Sequence, residues 1–353
     1  MEVRFFSKKI IEWYQNNKRN LPWRETSDPY KIWLSEIILQ QTRVSQGLPY
    51  YHKFVTEFPD VHALAASSEE KVLRLWQGLG YYTRARNLHA CAKLVVKEFK
   101  GVFPSRYYEL IQLPGIGEYT AAAIASIAGK EPAAVVDGNV FRVLARVFGI
   151  ETPINSLAGK KEFSSLANQL IHSADPGEYN QAIMEFGALH CVPKNPKCDD
   201  CILSSGCLAR QSKLQESLPV KIQSREKQTR YFYYFVVKHG KSIAMTGRQN
   251  KDIWKGLYEF YLVEKSRTTK PEKILKEDEK LKKLNPILSI ETISDTYKHI
   301  LSHQAIRCRF IVIKLKRKPA RKDFPFQFYT LSAIHNLPKP VLISRFLHDF
   351  GLL

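Results

Sequence analysis

The sequence predicts a chain of two domains, an all-helical one followed by an α+β one, and three observations carry that prediction. Up to about residue 208 apolar residues recur at helical spacing, and no stretch alternates as a strand would. From Arg230 the character changes, with Tyr231-Phe232-Tyr233-Tyr234-Phe235-Val236-Val237 rich in the aromatic and β-branched residues that strands favour. Between the two, KLQESLPVKIQSREKQ is polar, charged and without period, which reads as a linker. At 353 residues the chain is also too long for one compact core. The expected organisation is a helical domain over 1–208, a linker over 209–229 and an α+β domain over 230–353.

Charge narrows the class of partner. Lys and Arg outnumber Asp and Glu by 54 to 34, a formal charge of +20 that favours a polyanion. Nucleic acid leads over a membrane surface, because no long apolar run or basic amphipathic helix stands out. MEVRFFSKKIIEWY at the N-terminus lacks the apolar core and cleavage site of a signal peptide, so an intracellular protein is expected, at the nucleoid if bacterial. Six cysteines in a reducing compartment argue against a disulfide framework.

Ile10, Ile11, Trp13 and Tyr14 open a first helix that ends near Asn16-Asn17, and Leu21-Pro22-Trp23-Arg24 is a loop. Asp28-Pro29 then starts a second helix, an N-cap followed by proline in the first turn. Glu36 lies inside that helix, with Ile32 and Trp33 one turn before and Leu39 and Gln40 one turn after. A carboxyl so placed is poorly solvated, which raises its pKa and suits it to act as a general acid; pairing with Arg43 is the alternative. Gln40-Gln41-Thr42-Arg43 closes the helix with side chains able to bond bases or phosphates.

Further on, Gly78-Leu79-Gly80-Tyr81-Tyr82-Thr83-Arg84-Ala85-Arg86 joins a sharp turn to two aromatics and two arginines. Leu79 or Tyr81 suits a wedge in a base stack and the arginines suit phosphates, unless the stretch is only an interhelix turn. Helical patterns continue from Leu88 to Phe99 and from Phe163 to Ile171. Leu113-Pro114-Gly115-Ile116-Gly117 is a tight turn whose glycines let backbone amides approach an anion, with phosphate the natural guest. A helix of small residues follows and stops at Gly129. Asp137 precedes Val140, Val143, Leu144 and Val147 at helical spacing and reads as an N-cap.

Cys191, Cys198, Cys201 and Cys207 give the spacing C-x6-C-x2-C-x5-C. Four cysteines in one short loop of an intracellular protein read as a metal site, and spacing leaves zinc and an iron-sulfur cluster both open. Cys91 and Cys308 lie far from the set and are expected in the core.

LPGIGEYTA, VVDGNV from Val135 and the four-cysteine loop, in that order, resemble the helix-hairpin-helix DNA glycosylases of the endonuclease III superfamily. LPWRETSDPYKIWLSEIILQQTRV, GLGYYTRARNL and NQAIMEFGALHC are similar to its MutY-type adenine DNA glycosylase branch, over about residues 5–210. The resemblance implies removal of adenine mispaired with 8-oxoguanine or guanine from double-stranded DNA, by a monomer, with one 4Fe-4S cluster on the four cysteines. Glu36 matches the acid that protonates adenine N7, and Asp137 the carboxylate that stabilises the oxocarbenium-like sugar with help from Asn139. On this reading Glu36 is held protonated and Asp137, at a helix N-terminus, is held ionised. Trp23, Arg24 and Gln181 match the adenine pocket, and Gln41, Leu79 and Tyr81 act as wedges. Tyr119 stands where the endonuclease III branch carries a lysine that cleaves the strand, so a monofunctional glycosylase is expected, with Tyr119 bonding near the sugar.

In the second domain strands are expected at 231–237, 243–245, 257–262, 293–301 and 306–315, and helices at 272–284 and 342–350. Trp254-Lys255-Gly256-Leu257-Tyr258-Glu259-Phe260 resembles, more weakly, the opening motif of the Nudix-like domain of the MutY type. KILKEDEKLKKL lacks the glutamate-rich metal box, so nucleotide hydrolysis is not expected. Leu301-Ser302-His303-Gln304 matches the loop that reads 8-oxoguanine, with leucine where phenylalanine is more familiar; Ser302 supplies a donor and acceptor. Repair or replication proteins are possible partners. Two other readings compete: a glycosylase for damaged pyrimidines and a non-catalytic iron-sulfur DNA-binding protein.

Overall fold

The computed structural model of the protein describes residues 3–223, 227–249, 251–284, 287–320 and 324–352. Residues 224–226 of the expected linker lie outside them. Contacts group the chain into two compact units, Met1–Ala66 with Asn87–Ser224, and Ser67–Arg86 with Arg225–Leu353. Chain order alone assigns 67–86 to the helical domain, whereas their contacts group them with the second unit.

The first unit is helical throughout its described residues. Its first helix, Val3–Asn17, buries Phe6, Ile10 and Tyr14 against Val140, Val143, Leu144, Phe163 and Phe186. The second, Pro29–Leu39, starts as its sequence dictates, the Asp28 carboxylate accepting from the Tyr30 N–H at 2.9 Å. Glu118–Ile127 follows the glycine turn, and every residue from Thr120 to Ser126 is buried. Gly138–Phe148 begins at Asp137 and ends on Gly149 at φ +65°, the left-handed stop that glycine adopts without strain.

Pro176–Leu189 packs against both of these helices by glycine. A Cβ on Gly177 would stand 2.8 Å from the Cα of Ile127, and one on Gly187 2.7 Å from the Cβ of Asn139. Close backbone approach therefore fixes this helix near both its ends.

The second unit is built on a mixed sheet. Its strands are β1 (Gln228–His239), β2 (Ser242–Gly247), β3 (Tyr258–Glu259), β4 (Tyr261–Lys265), β5 (Leu288–Ile293), β6 (Tyr297–Ile300), β7 (Gln304–Leu315) and β8 (Gln327–Thr330). They run in the order β3-β2-β1-β7-β5, with β4 on β1, β6 on β7 and β8 on β2. β1 and β7 pair in parallel at the centre, and Phe232 to Val237 are buried on both faces, as a continuous apolar run requires.

Three expectations are corrected here, the first being the strand expected over 257–262, which is two because Tyr258–Glu259 pairs with β2 and Tyr261–Lys265 with β1. The helix expected over 272–284 is two, Pro271–Glu277 and Glu279–Leu284, because the Asp278 carboxylate accepts from the N–H groups of Lys280 and Leu281 and restarts the helix. The strand expected over 293–301 ends at Ile293 and resumes at Tyr297. Between them the Ser294 hydroxyl accepts from the Phe310 N–H at 2.9 Å and interrupts the ladder. β8 and the helix Leu331–Asn336 were not foreseen. Among the described residues no helix is long and apolar enough to cross a membrane.

Candidate active site

Segments from along the first unit line one cavity of about 740 Å3. The loop before the second helix brings Trp23 and Arg24, and that helix brings Glu36. Tyr119 comes from the helix after the glycine turn, Asp137 and Asn139 from the start of the next, and Gln181 and Glu185 from Pro176–Leu189.

Burial pushes the Glu36 carboxyl up to about 7. The Tyr119 hydroxyl and the Arg24 charge pull it down, and Asp137 adds to the rise. Arg43 shares the cavity but is not among the groups that shift Glu36.

Asp137 caps its helix with one oxygen, accepting from Asn139 N–H and Val140 N–H at 2.8 Å each, while the other accepts from the Asn139 side-chain amide at 2.8 Å. Burial raises its pKa, and these three donors oppose the rise. Both carboxyls are thus raised, because both are buried. What separates them is the donor set, since N–H groups aimed at Asp137 favour its anion.

Other residues in the cavity escaped the sequence reading. Glu185 is buried and accepts from Arg19 N–H, Nε and Nη2 at 3.0, 2.8 and 2.5 Å and from Arg24 Nη1 and Nη2 at 3.0 and 2.8 Å. Burial pushes Glu185 up, but these bonds outweigh it and hold the carboxyl at about 2. Arg142 donates to the Asn139 Oδ1 at 2.9 Å, which turns the amide nitrogen toward Asp137, and to the carbonyls of Gly187 and Cys191 at 2.6 and 2.7 Å. Tyr14 donates to Gln181 Oε1 at 2.8 Å. The Tyr119 hydroxyl meets the Met184 sulfur at 3.1 Å, and burial holds it neutral, far above its ordinary range. The one signal in sequence was charge without an obvious partner, a glutamate amid the apolar NQAIMEFGALHC.

At the glycine turn the two glycines differ. Gly115 has φ +80°, and a Cβ there would stand 2.7 Å from that of Asn87. Gly117 has φ −98° and open space around it, at the N-terminus of Glu118–Ile127. Gln41 is exposed, at φ +54°. The second unit holds the remaining candidates. Of the three expected wedges Gln41 and Tyr81 are exposed, Tyr81 to 48%, whereas Leu79 is 7% exposed and packs inward. Leu301 donates its N–H to the Gln304 carbonyl at 2.8 Å, closing the β6–β7 turn with Ser302 and His303 exposed. Gln304 Oε1 accepts from Arg230 at 3.2 Å.

The four loop cysteines form no disulfide, and Cys191, Cys198 and Cys207 all act electrostatically on Cys201. Three receive N–H donors, Cys201 from Leu203 and Cys191 from Arg146, both at 3.4 Å, and Cys207 from the backbone of Ala209 and Arg210. Donors to sulfur suit a thiolate-ligated centre. Among the described residues no group of three or more His, Cys, Asp or Glu stands at metal-binding geometry. Cys91 and Cys308 are buried, as expected.

The HhH-GPD superfamily of base excision DNA repair proteins matches residues 34–169, and the NUDIX domain matches residues 233–349. The chain is similar to a thermostable thymine-DNA glycosylase of known structure, at a TM-score of 0.56 and 29% identity over 60% of this chain and 97% of that one. Adenine DNA glycosylase of Homo sapiens is 44% identical over 226 residues, 62% of this chain and 41% of that protein. Adenine DNA glycosylase of Buchnera aphidicola subsp. Baizongia pistaciae is 38% identical over 313 residues, 86% of this chain and 84% of that protein. Identity at that level over most of a relative's length is more than a shared fold, and the chain belongs to the adenine DNA glycosylase family.

Proposed function

We propose that the protein hydrolyses the N-glycosidic bond of adenine mispaired with 8-oxoguanine or guanine in duplex DNA. The observation that carries the proposal is one cavity holding a carboxyl raised to about 7, Glu36, beside a carboxylate with three N–H donors, Asp137. An adenine reaches such a cavity only by leaving the stack, at a cost of a few kcal/mol that contacts must repay. Trp23, Arg24 and Gln181 line the space for the base, and Tyr81 and Gln41 are the wedges.

Glu36 gives its proton to adenine N7 as the bond from the sugar to N9 breaks and its electron pair leaves with the base. Positive charge develops on the sugar, and the Asp137 anion, oriented by Asn139, stabilises it until water adds. Glu36 then recovers a proton from that water. Tyr119 offers a hydroxyl and no amine, so the sugar is not captured covalently and the strand stays intact.

The four cysteines hold one 4Fe-4S cluster, which ties the loop 191–207 together. Arg142 links that loop to Asn139 through the Cys191 carbonyl. The amides at Gly115 and Gly117 take a phosphate, and the turn Leu301–Gln304 reads 8-oxoguanine through Ser302. The protein acts as a monomer.

The test is adenine release from a duplex carrying one adenine opposite 8-oxoguanine, with strand breaks scored with and without alkali. Breaks that need alkali support the proposal; breaks without it overturn the monofunctional part, and binding without release overturns the roles of Glu36 and Asp137.

A further inference from the structure

The turn that presents Tyr81 is tied on both sides to a single buried residue of its own unit. Gln77, just before the turn, accepts at Oε1 from the backbone N–H of Lys339 at 3.3 Å, and its amide nitrogen donates to the Ser344 hydroxyl at 3.3 Å. Tyr82, just after it, donates its hydroxyl to the carbonyl of Lys339 at 3.5 Å. Both backbone groups of Lys339 thus face the two flanks of one turn.

Lys339 is itself unusually fixed. It is 1% exposed, and its ammonium donates to the carbonyls of Ile334, Leu337 and His335 at 2.7, 3.0 and 3.2 Å. A buried ammonium is tolerated only with such partners, so the side chain anchors the backbone that carries it. Pro338 and Pro340 on either side remove further freedom.

The turn needs fixed ends. Gly78 and Gly80 have φ +108° and +74°, conformations glycine adopts freely, but Tyr81 has φ +47°, which costs a tyrosine free energy and persists only where its surroundings impose it. The Arg84 guanidinium, 5.0 Å from the Trp76 ring and 5.7 Å from the Tyr81 ring, packs beside it.

We infer that Lys339 is a positioning residue for Tyr81, holding the turn Gly78–Tyr81 in the shape that presents the tyrosine to DNA. The inference rests on the reading of Tyr81 as the wedge. It makes base extrusion depend on the unit that carries the Leu301–Gln304 turn.

The test uses the full chain with two variants, Lys339→Met and the pair Gln77→Leu with Tyr82→Phe, which leaves Lys339 in place should the first fail to fold. Hydrogen exchange at amides 78–83 is measured on the free protein. Extrusion is followed by fluorescence of 2-aminopurine placed at the target adenine opposite 8-oxoguanine. Exchange is expected to quicken roughly ten-fold and extrusion to slow about five-fold, as loss of ordinary hydrogen bonds implies. In a Tyr81→Ala background the paired substitutions should add nothing to extrusion, because they act through the same side chain. Unchanged exchange in the folded variants overturns the inference. Faster exchange with unchanged extrusion, and no effect of Tyr81→Ala, upholds the tie to Lys339 and overturns the wedge reading instead.

Discussion

Arg24 and Glu185 meet through both terminal nitrogens of the guanidinium, at 3.0 and 2.8 Å, on the wall of the cavity that holds Glu36. Arg19 brings three more donors to the same carboxylate. The folded pKa of Glu185, about 2, lies below its ordinary 4.5, so the unfolded chain binds the proton more readily between those values. This stability is fully present above the ordinary value and is lost as pH falls toward 2, on the order of 3 kcal/mol in all. Urea unfolding from pH 6 to pH 2 should show the loss, and Glu185→Gln should flatten it. Glu185→Ala, which leaves two partly exposed guanidinium groups without their shared carboxylate, should cost roughly 1–3 kcal/mol at neutral pH.

Glu36 is useful as an acid only while protonated, and its pKa of about 7 puts that limit near neutrality. Single-turnover adenine release should be flat below pH 6 and fall about ten-fold per unit well above pH 7. Glu36→Gln keeps the volume and cannot deliver the proton; release should drop by roughly 100-fold or more while binding to mispaired duplex persists.

Asp137 caps its helix and is proposed to stabilise the sugar with the same carboxylate, and a single substitution separates the two. Asp137→Asn keeps an oxygen for the N–H groups of Asn139 and Val140, so the helix cap survives and unfolding free energy should change by less than about 1 kcal/mol. The anion is gone, and single-turnover rate should fall roughly 100-fold or more. Loss of both fold and rate together would show that the capping role dominates.

Gly115 and Gly117 should behave oppositely. Gly115→Ala forces a side chain to φ +80° and against Asn87, and should destabilise by about 1–2 kcal/mol. Gly117→Ala meets no atom within 4 Å and needs no special backbone, so the melting temperature should hold. Its methyl group would instead stand before the amides that take a phosphate. Duplex binding should weaken, with a shallower dependence on salt. Calorimetry and binding at two salt concentrations distinguish the two variants.

These predictions divide along a line visible in the sequence. The glycine turn, the caps Asp28 and Asp137 and the burial of Glu36 are local, since neighbours within a few positions dictate them, and each was legible. Glu185 was not, because its partners Arg19 and Arg24 lie 166 and 161 positions away and only the tertiary fold brings them together. Arg142 was hidden for the same reason, its acceptors Gly187 and Cys191 lying 45 and 49 positions on. Leu79 and Tyr81 are nearly equivalent as letters in a turn; which one faces outward depends on what the turn packs against. The break at Asp278 was missed because its residues favour helix on both sides, and only the cap shows that there are two.

The glycines at 177 and 187 divide the labour of the cavity in a way that bears on how its selectivity can be changed. Backbone contact at those two points sets the distance from the Pro176–Leu189 helix to the helices carrying Tyr119 and Asp137, while Gln181 and Glu185, between them, supply its polar character. Width and chemistry are thus separate variables. A library at 181 and 184 should retune which base is accepted inside an unchanged frame, whereas any side chain at 177 or 187 resizes the frame itself and forfeits the geometry on which every variant depends.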